Sequence, residues 1–198
     1  MSSDVEQILV RTATAADAAA LAVLGAATFT ETFGHLYAPE DLQTFLRTTQ
    51  SIDAWIRTLA DSRRAVWLAT LADATPIGFL AVGACKLPLE NREADAGEIQ
   101  QLYLLARYHN RSIGARLMQL GIGWLQAQGH APLYVGVWSE NLGAQRFYRR
   151  YGFVKVAEYG FAVGRTLDRE FILRRDLPSG NCMNTGAAVA FDGYDAGH

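Results

Sequence analysis

Two groups of residues in this chain combine reactive or ligand-binding side chains at informative spacings. The first lies in a segment, Tyr103 through Ser139, that contains no Asp or Glu yet crowds Arg107, His109, Arg111 and Arg116 together. Ile113, Leu117, Leu120 and Trp124 form an apolar stripe, which predicts a helix over about Asn110 to Gln128. The cations therefore gather at a helix start, where carboxylates are the usual choice. Backbone N–H groups in a first helical turn have no intrahelical partner and can bind phosphate oxygens. Ser112 and Gly114 are small enough to let a ligand approach the backbone. A solvated basic turn whose small residues serve packing fits the same spacing equally well. The phosphate-loop pattern G-x-x-x-x-G-K-[ST] is absent, and no G-x-G-x-x-G follows a strand. Gly121 and Gly123 fall in mid-helix, where they are packing features.

The second group is Ser139-Glu140-Asn141, followed by Phe147-Tyr148. Asn141 and Tyr148 are seven residues apart on an expected helix and so share a face. That face points toward the end of the strand Leu133 to Val137, beside the basic turn. An amide and a phenol would then enter one cleft. A phenol of pKa about 10 is a poor acid at rest but can protonate a departing thiolate. The alternatives are that Tyr148 is a core aromatic and that Asn141 satisfies backbone groups at a helix start.

The elements that must position these residues read as a mixed α/β chain. Ile8 to Arg11 is a short strand, and Thr14 caps an Ala-rich helix to Ala27. Thr28 to Tyr37 reads as aromatic and irregular. Helices follow from Pro39 and over Ile52 to Leu59. Ala65 to Leu71 and Ile77 to Val82 form a hairpin across Asp73 to Pro76. Leu87 to Gly97 is loop-like, and Glu98 to Leu105 is a strand. With the helix after it and the strand Leu133 to Val137, it makes a βαβ unit with parallel strands. A helix from Ser139 to Tyr151 stops at Gly152. Phe153 to Val163 and Arg169 to Arg174 close the sheet as an antiparallel pair. Residues 1–177 are expected to form one domain, and residues 178–198, rich in Ser, Gly, Asn, Ala and Asp, a peripheral tail.

Composition narrows the function. Half of the 198 residues are hydrophobic and 19% are charged, enough to bury a core. A net charge of −2 gives no bulk attraction for a nucleic-acid backbone. No apolar run reaches the roughly 20 residues of a membrane span. Cys85 and Cys182 suit a reducing cytoplasm rather than a disulfide framework, and four scattered histidines lack metal-ligand spacing.

Taken together, QLYLLARYHNRSIGARLM and LYVGVWSENLGAQRFYRRYGF resemble the GCN5-related N-acetyltransferase (GNAT) superfamily. The first resembles its coenzyme A pyrophosphate motif, [QR]-x-x-G-x-[GA]. The second resembles its N-x-x-A-x-x-x-Y-x-x-x-G-F block, here Asn141, Ala144, Tyr148, Gly152 and Phe153. The likeness covers about Ile8 to Leu177 and is nearest to the polyamine acetyltransferase branch typified by the PaiA protein. It implies an α/β fold with a mixed, mostly antiparallel sheet of about seven strands, a central splayed parallel pair, and helices on both faces. Two positions depart from the pattern: His109 replaces Gln or Arg, and Ser112 replaces the first Gly.

By position, the resemblance implies that acetyl-CoA pairs with Leu102, Tyr103 and Leu104. Its pyrophosphate would sit on His109, Asn110, Arg111, Ser112, Ile113, Gly114 and Ala115. Asn141 would bond the pantetheine or orient Tyr148, the general acid. A backbone N–H near Leu104 would stabilise the oxyanion. An alkylamine of pKa near 10 must lose a proton before attack, which makes Glu98 the candidate base unless a water relay serves. Glu31, His35 and Tyr37 are candidate acceptor contacts, with further acidic residues (Glu40, Asp41, Glu90, Glu93, Asp95) in the flanking segments; His35 and Tyr37 could instead pack under the helix at Pro39. Acidic residues before the coenzyme motif suit a polyamine or other small cationic amine. The alternatives are a peptide N-terminal or lysine acetyltransferase and a CoA-binding regulator without turnover. Many relatives are dimers, which leaves a homodimer open.

Overall fold

The computed structural model describes residues 7–176, so the expected tail at 178–198 lies outside the described residues. The elements run β1 (Ile8–Thr12), α1 (Ala18–Phe33), α2 (Pro39–Thr49), α3 (Ile52–Ala60), β2 (Arg64–Leu71) and β3 (Pro76–Ala84). They continue with β4 (Gly97–Leu104), α4 (Ile113–Ala127), β5 (Leu133–Trp138), α5 (Leu142–Arg150), β6 (Val154–Val163) and β7 (Thr166–Arg175). Short 3-10 turns precede α1, follow it at Gly34–Leu36, and follow β4 at Ala106–Tyr108. One seven-stranded sheet has the order β1-β2-β3-β4-β5-β7-β6. Its neighbours are antiparallel except β4 and β5.

Strand alternation gives the sheet two apolar faces. On one face, α4 lays Ile113, Leu117, Met118, Ile122 and Leu125 against Leu80, Val82, Ile99 and Leu133. These α4 side chains are 0–7% exposed, and each contributes about 1.5–3 kcal/mol. Gly121 lets the helix lie flush: a Cβ there would sit 2.6 Å from Leu80 Cδ2. On the other face, α1 and α3 bury Leu21, Leu24 and Trp55 against Val66, Leu68, Phe79 and Ala81.

Two expectations need correction. The Ala-rich helix does not stop at Ala27; α1 runs on to Phe33. The aromatic stretch that looked irregular is helical because Phe29 and Phe33, one turn apart, share a cluster with Tyr37 and Val163. The helix after β4 begins at Ile113 rather than Asn110, because Asn110 and Ser112 are left-handed, with φ 61° and 60°.

Candidate active site

The parallel pair opens almost as soon as it forms. β4 and β5 are paired only at Gly97–Leu133 and Glu98–Tyr134; beyond these the strands splay apart. A bulge in β4 at the same place assists. Ala81 opposes Gln101 while Val82 opposes Ile99, which leaves Gln100 as the extra residue. Side-chain parity flips across the bulge. Ile99, Leu102 and Leu104 therefore face α4, while Glu98, Gln100, Gln101 and Tyr103 face the opposite side and line one cavity. Leu105 N–H donates to Ile77 of β3 at 3.0 Å. Successive N–H groups alternate along a strand, so those of Leu104 and Leu102 face the open gap.

That cavity has a volume of about 280 Å³. Phe29 and Phe33 of α1, and Tyr37 and Phe45 from the following segment, form one wall; Trp138, Tyr159 and Phe161 form another. Three carboxylates line it, Glu98, Asp168 and Glu170, and among the described residues its lining includes no Lys, Arg or His. Glu98 is 8% exposed and accepts a hydrogen bond from Lys86 N–H at 2.6 Å. Burial pushes its carboxyl up to about 7, against the pull of Arg92 and Arg64. Glu170 is likewise raised, chiefly by burial, although it accepts a hydrogen bond from the Tyr159 hydroxyl at 2.6 Å. The Tyr37 hydroxyl donates to Asp168.

The sequence-identified residues separate into those that meet this cavity and those that do not. Glu98, Tyr103 and Tyr37 line it. Tyr148 is 7% exposed, in edge contact with Phe147 and Phe153. Burial and the nearby charge of Glu170 raise its pKa, which keeps the phenol protonated. Tyr148 therefore sits in the core, outside the cavity lining, within reach of the Glu170 charge. Glu31 sits elsewhere: its Oε2 accepts from Ala106 N–H at 3.0 Å, holding the turn after β4 against α1. His35 stands behind the wall, edge-on to Trp138 at 6.4 Å. The carboxylates Asp168 and Glu170 were missed. Their signal was present in the i, i+2 spacing that sends both to one face of a strand.

At the basic turn, α4 starts beside the gap's open end. A Cβ on Gly114 would lie 3.4 Å from Leu104 of β4 and 3.7 Å from Phe147 of α5, in the space between those elements. The N–H groups of Ile113, Gly114 and Ala115 are the first-turn donors. Arg111, Ser112, Ile113, Ala115 and Arg116 also line a second cleft, of about 340 Å³, against Ile8 and Val10. His109 approaches Leu104 C=O with Nε2 at 3.0 Å; since the carbonyl only accepts, Nε2 carries the proton. Asn141 caps α5, its Oδ1 accepting from Ala144 N–H at 3.0 Å. This leaves the amide N–H₂ able to donate.

A splayed parallel pair with a carboxylate-free helix start at its mouth and a buried carboxylate in its floor defines a scaffold for transfer from an anionic, extended donor. Residues 29–153 match the model of the acetyltransferase (GNAT) family, and the chain belongs to that family. An uncharacterised N-acetyltransferase of Mycobacterium tuberculosis (strain ATCC 25618 / H37Rv) is 29% identical over 161 residues, 81% of this chain and 98% of that one. An uncharacterised N-acetyltransferase from the pepI 3′ region of Lactobacillus delbrueckii subsp. lactis is 25% identical over 150 residues, 76% of this chain and 86% of that one. Among solved structures, the PaiA N-acetyltransferase of Thermoplasma acidophilum in complex with coenzyme A superposes with a TM-score of 0.69. It is 20% identical and covers 86% of this chain and 99% of its own. A GCN5-related N-acetyltransferase from Rhodopseudomonas palustris gives 0.66 at 19% identity, covering 89% and 100%. The protein is an acetyl-CoA-dependent N-acetyltransferase.

Proposed function

We propose that this enzyme acetylates the primary amine of a small cationic acceptor, a polyamine or a related diamine. The observation that carries the reading is the acceptor cavity. Its charged lining is Glu98, Asp168 and Glu170, set among aromatic faces that attract cations. Acetyl-CoA supplies the acetyl thioester. The Leu102 and Leu104 backbone and the N–H groups of Ile113, Gly114 and Ala115 would hold it. His109, Asn110, Arg111, Ser112 and Asn141 border the same path. Glu98 takes a proton from the substrate ammonium, which frees the nitrogen lone pair for attack on the thioester carbonyl. The Leu104 N–H, facing the gap, stabilises the negative charge on the carbonyl oxygen. Tyr148 donates its phenolic proton as the thiolate departs. Of the three candidate acceptor contacts, Tyr37 is the one the cavity geometry supports, through its hydrogen bond to Asp168.

A peptide acceptor would need an open groove between Thr28–Tyr37, with the α2 start that follows it, and Gly160–Asp168 of the β6–β7 hairpin. Two links bridge that groove: Tyr37 to Asp168, and Asp41 to Arg165, whose N–H and Nε approach at 3.2 and 3.3 Å. Cytoplasmic action is part of the proposal, supported by the buried, unpaired thiol of Cys85 and by the cosubstrate. Among the described residues no helix is long and apolar enough to cross a membrane. The test is thiol release from acetyl-CoA with spermidine, putrescine, neutral amino acids and short peptides. The proposal expects kcat/KM to rank with the acceptor's positive charge. Equal rates across the panel, or a preference for peptides, would overturn the acceptor class. Coenzyme binding with no turnover would overturn the enzyme reading for a regulator.

A further inference from the structure

We propose that Glu170 is the ammonium-binding residue of the acceptor site, gripping the reacting nitrogen across the open strands from Glu98. The inference rests on the acceptor reading above and deepens it. Glu170 lies on β7 opposite Trp138 of β5, yet its carboxylate reaches back over β5 at Gly136. A Cβ on Gly136 would sit 3.2 Å from Glu170 Oε2, 3.2 Å from the Tyr159 hydroxyl and 3.2 Å from Leu87 Cδ2. The bare glycine is thus where the carboxylate and its Tyr159 donor converge, in the region where β4 and β5 have parted. A Cβ there would require these groups to give by a few tenths of an ångström. Glu98 and Glu170 line the same cavity from opposite edges of the gap.

The surroundings assign different tasks to the two carboxylates. Glu98 is faced by Arg64 of β2, Arg92 of the β3–β4 loop, Cys85, Tyr159 of β6 and Glu170. Glu170 is faced by Tyr159, Asp168 and Glu98, and by the hydroxyls of Tyr37, Tyr103 and Tyr148. Among the described residues, the cavity lining that Glu170 shares holds no Lys, Arg or His, so an incoming ammonium is the partner its environment suits. The Tyr159 hydrogen bond favours its ionised form. When the ammonium sits between the pair, one N–H bond breaks and one O–H bond forms on Glu98. Glu170 remains a carboxylate and keeps the free amine in place.

Steady-state kinetics of Glu170→Gln over a range of pH test this, with the best amine from the panel. The acceptor KM should rise about tenfold or more, the loss of a charge-assisted contact. The acidic limb of kcat/KM should also move to lower pH, because a like charge that shares the cavity with Glu98 has gone. Glu170→Asp should restore much of both. A Glu170→Gln enzyme with wild-type amine KM and an unmoved limb would overturn the proposal. Glu98→Gln separates the two readings: wild-type turnover there removes the base and leaves the Glu170 prediction on amine KM standing. If no amine is turned over, calorimetry of putrescine binding to the coenzyme A complex decides. A Kd at least about tenfold weaker in Glu170→Gln supports the assignment; equal affinity, or binding to neither protein, overturns it.

Discussion

Replacing Glu98 with Gln should exchange activity for stability. The Glu98 carboxyl titrates at about 7 in the fold against an ordinary value of 4.5. Between those values the folded protein holds a proton that the unfolded chain releases, so stability falls as pH rises through the window. At 1.36 kcal/mol per pH unit the full penalty is about 3 kcal/mol, reached above pH 7. Glutamine never ionises, and its Oε1 can still accept the Lys86 N–H bond now made at 2.6 Å. At about pH 8 the variant should therefore be more stable by about 2–3 kcal/mol, roughly 5–10 °C in Tm. Its Tm should also lose much of the pH dependence between 4.5 and about 7 that the wild type shows. Turnover should fall by about 10²–10⁴, the worth of a positioned general base. Thermal melts across pH and thiol-release kinetics on the same preparations measure both. A variant with wild-type turnover, or one less stable at about pH 8, would refute the reasoning.

Three further outcomes follow from the geometry. Tyr148→Phe removes one oxygen from a buried ring, and kcat should fall by about 10²–10⁴ while calorimetric coenzyme A affinity stays within about twofold; unchanged kcat would remove Tyr148 from the acid role. Ser112 holds φ 60° at the start of α4, so Ser112→Gly should raise stability by about 1 kcal/mol in denaturant unfolding without loss of coenzyme affinity; a less stable variant would contradict the strain argument. Gly114→Ala should fold, since a Cβ there meets only ordinary contacts at 3.4 Å and beyond, yet weaken coenzyme A binding at least about tenfold by filling the approach to the first-turn N–H groups. Wild-type affinity in that variant would move the phosphate site elsewhere.

Much of the frame was legible in the sequence because its signals are local. The apolar stripe of α4, the Asp73 to Pro76 turn and the parallel order of β4 and β5 each follow from periodicity or punctuation within a few residues. The α1 extension was not legible, because Phe29 and Phe33 find their partners only when Tyr37, Phe45 and Val163 arrive from later in the chain. The bulge at Gln100 was equally hidden, and it decides that Glu98 and Tyr103, five residues apart, share a face. For the cavity's acidity the sequence points to Glu31 and the segments before β4, where charge is dense. Apart from Glu98, that acidity comes from Asp168 and Glu170 on β7, brought in by the β5–β7 pairing. Asn141 was legible only as a pair of alternatives, and the fold uses it as a helix cap while leaving its amide N–H₂ able to donate.

The central claim, that Glu98 deprotonates a bound ammonium for acetyl transfer, is tested most directly by the pH dependence of kcat/KM with spermidine and acetyl-CoA. If the enzyme binds the ammonium and Glu98 removes its proton, kcat/KM rises through pH about 7, levels, and falls as the free amine deprotonates near pH 10. A profile that has no limb near 7 and keeps rising through about pH 10 would mean that the amine arrives already neutral, with no base in the protein, and would contradict the account.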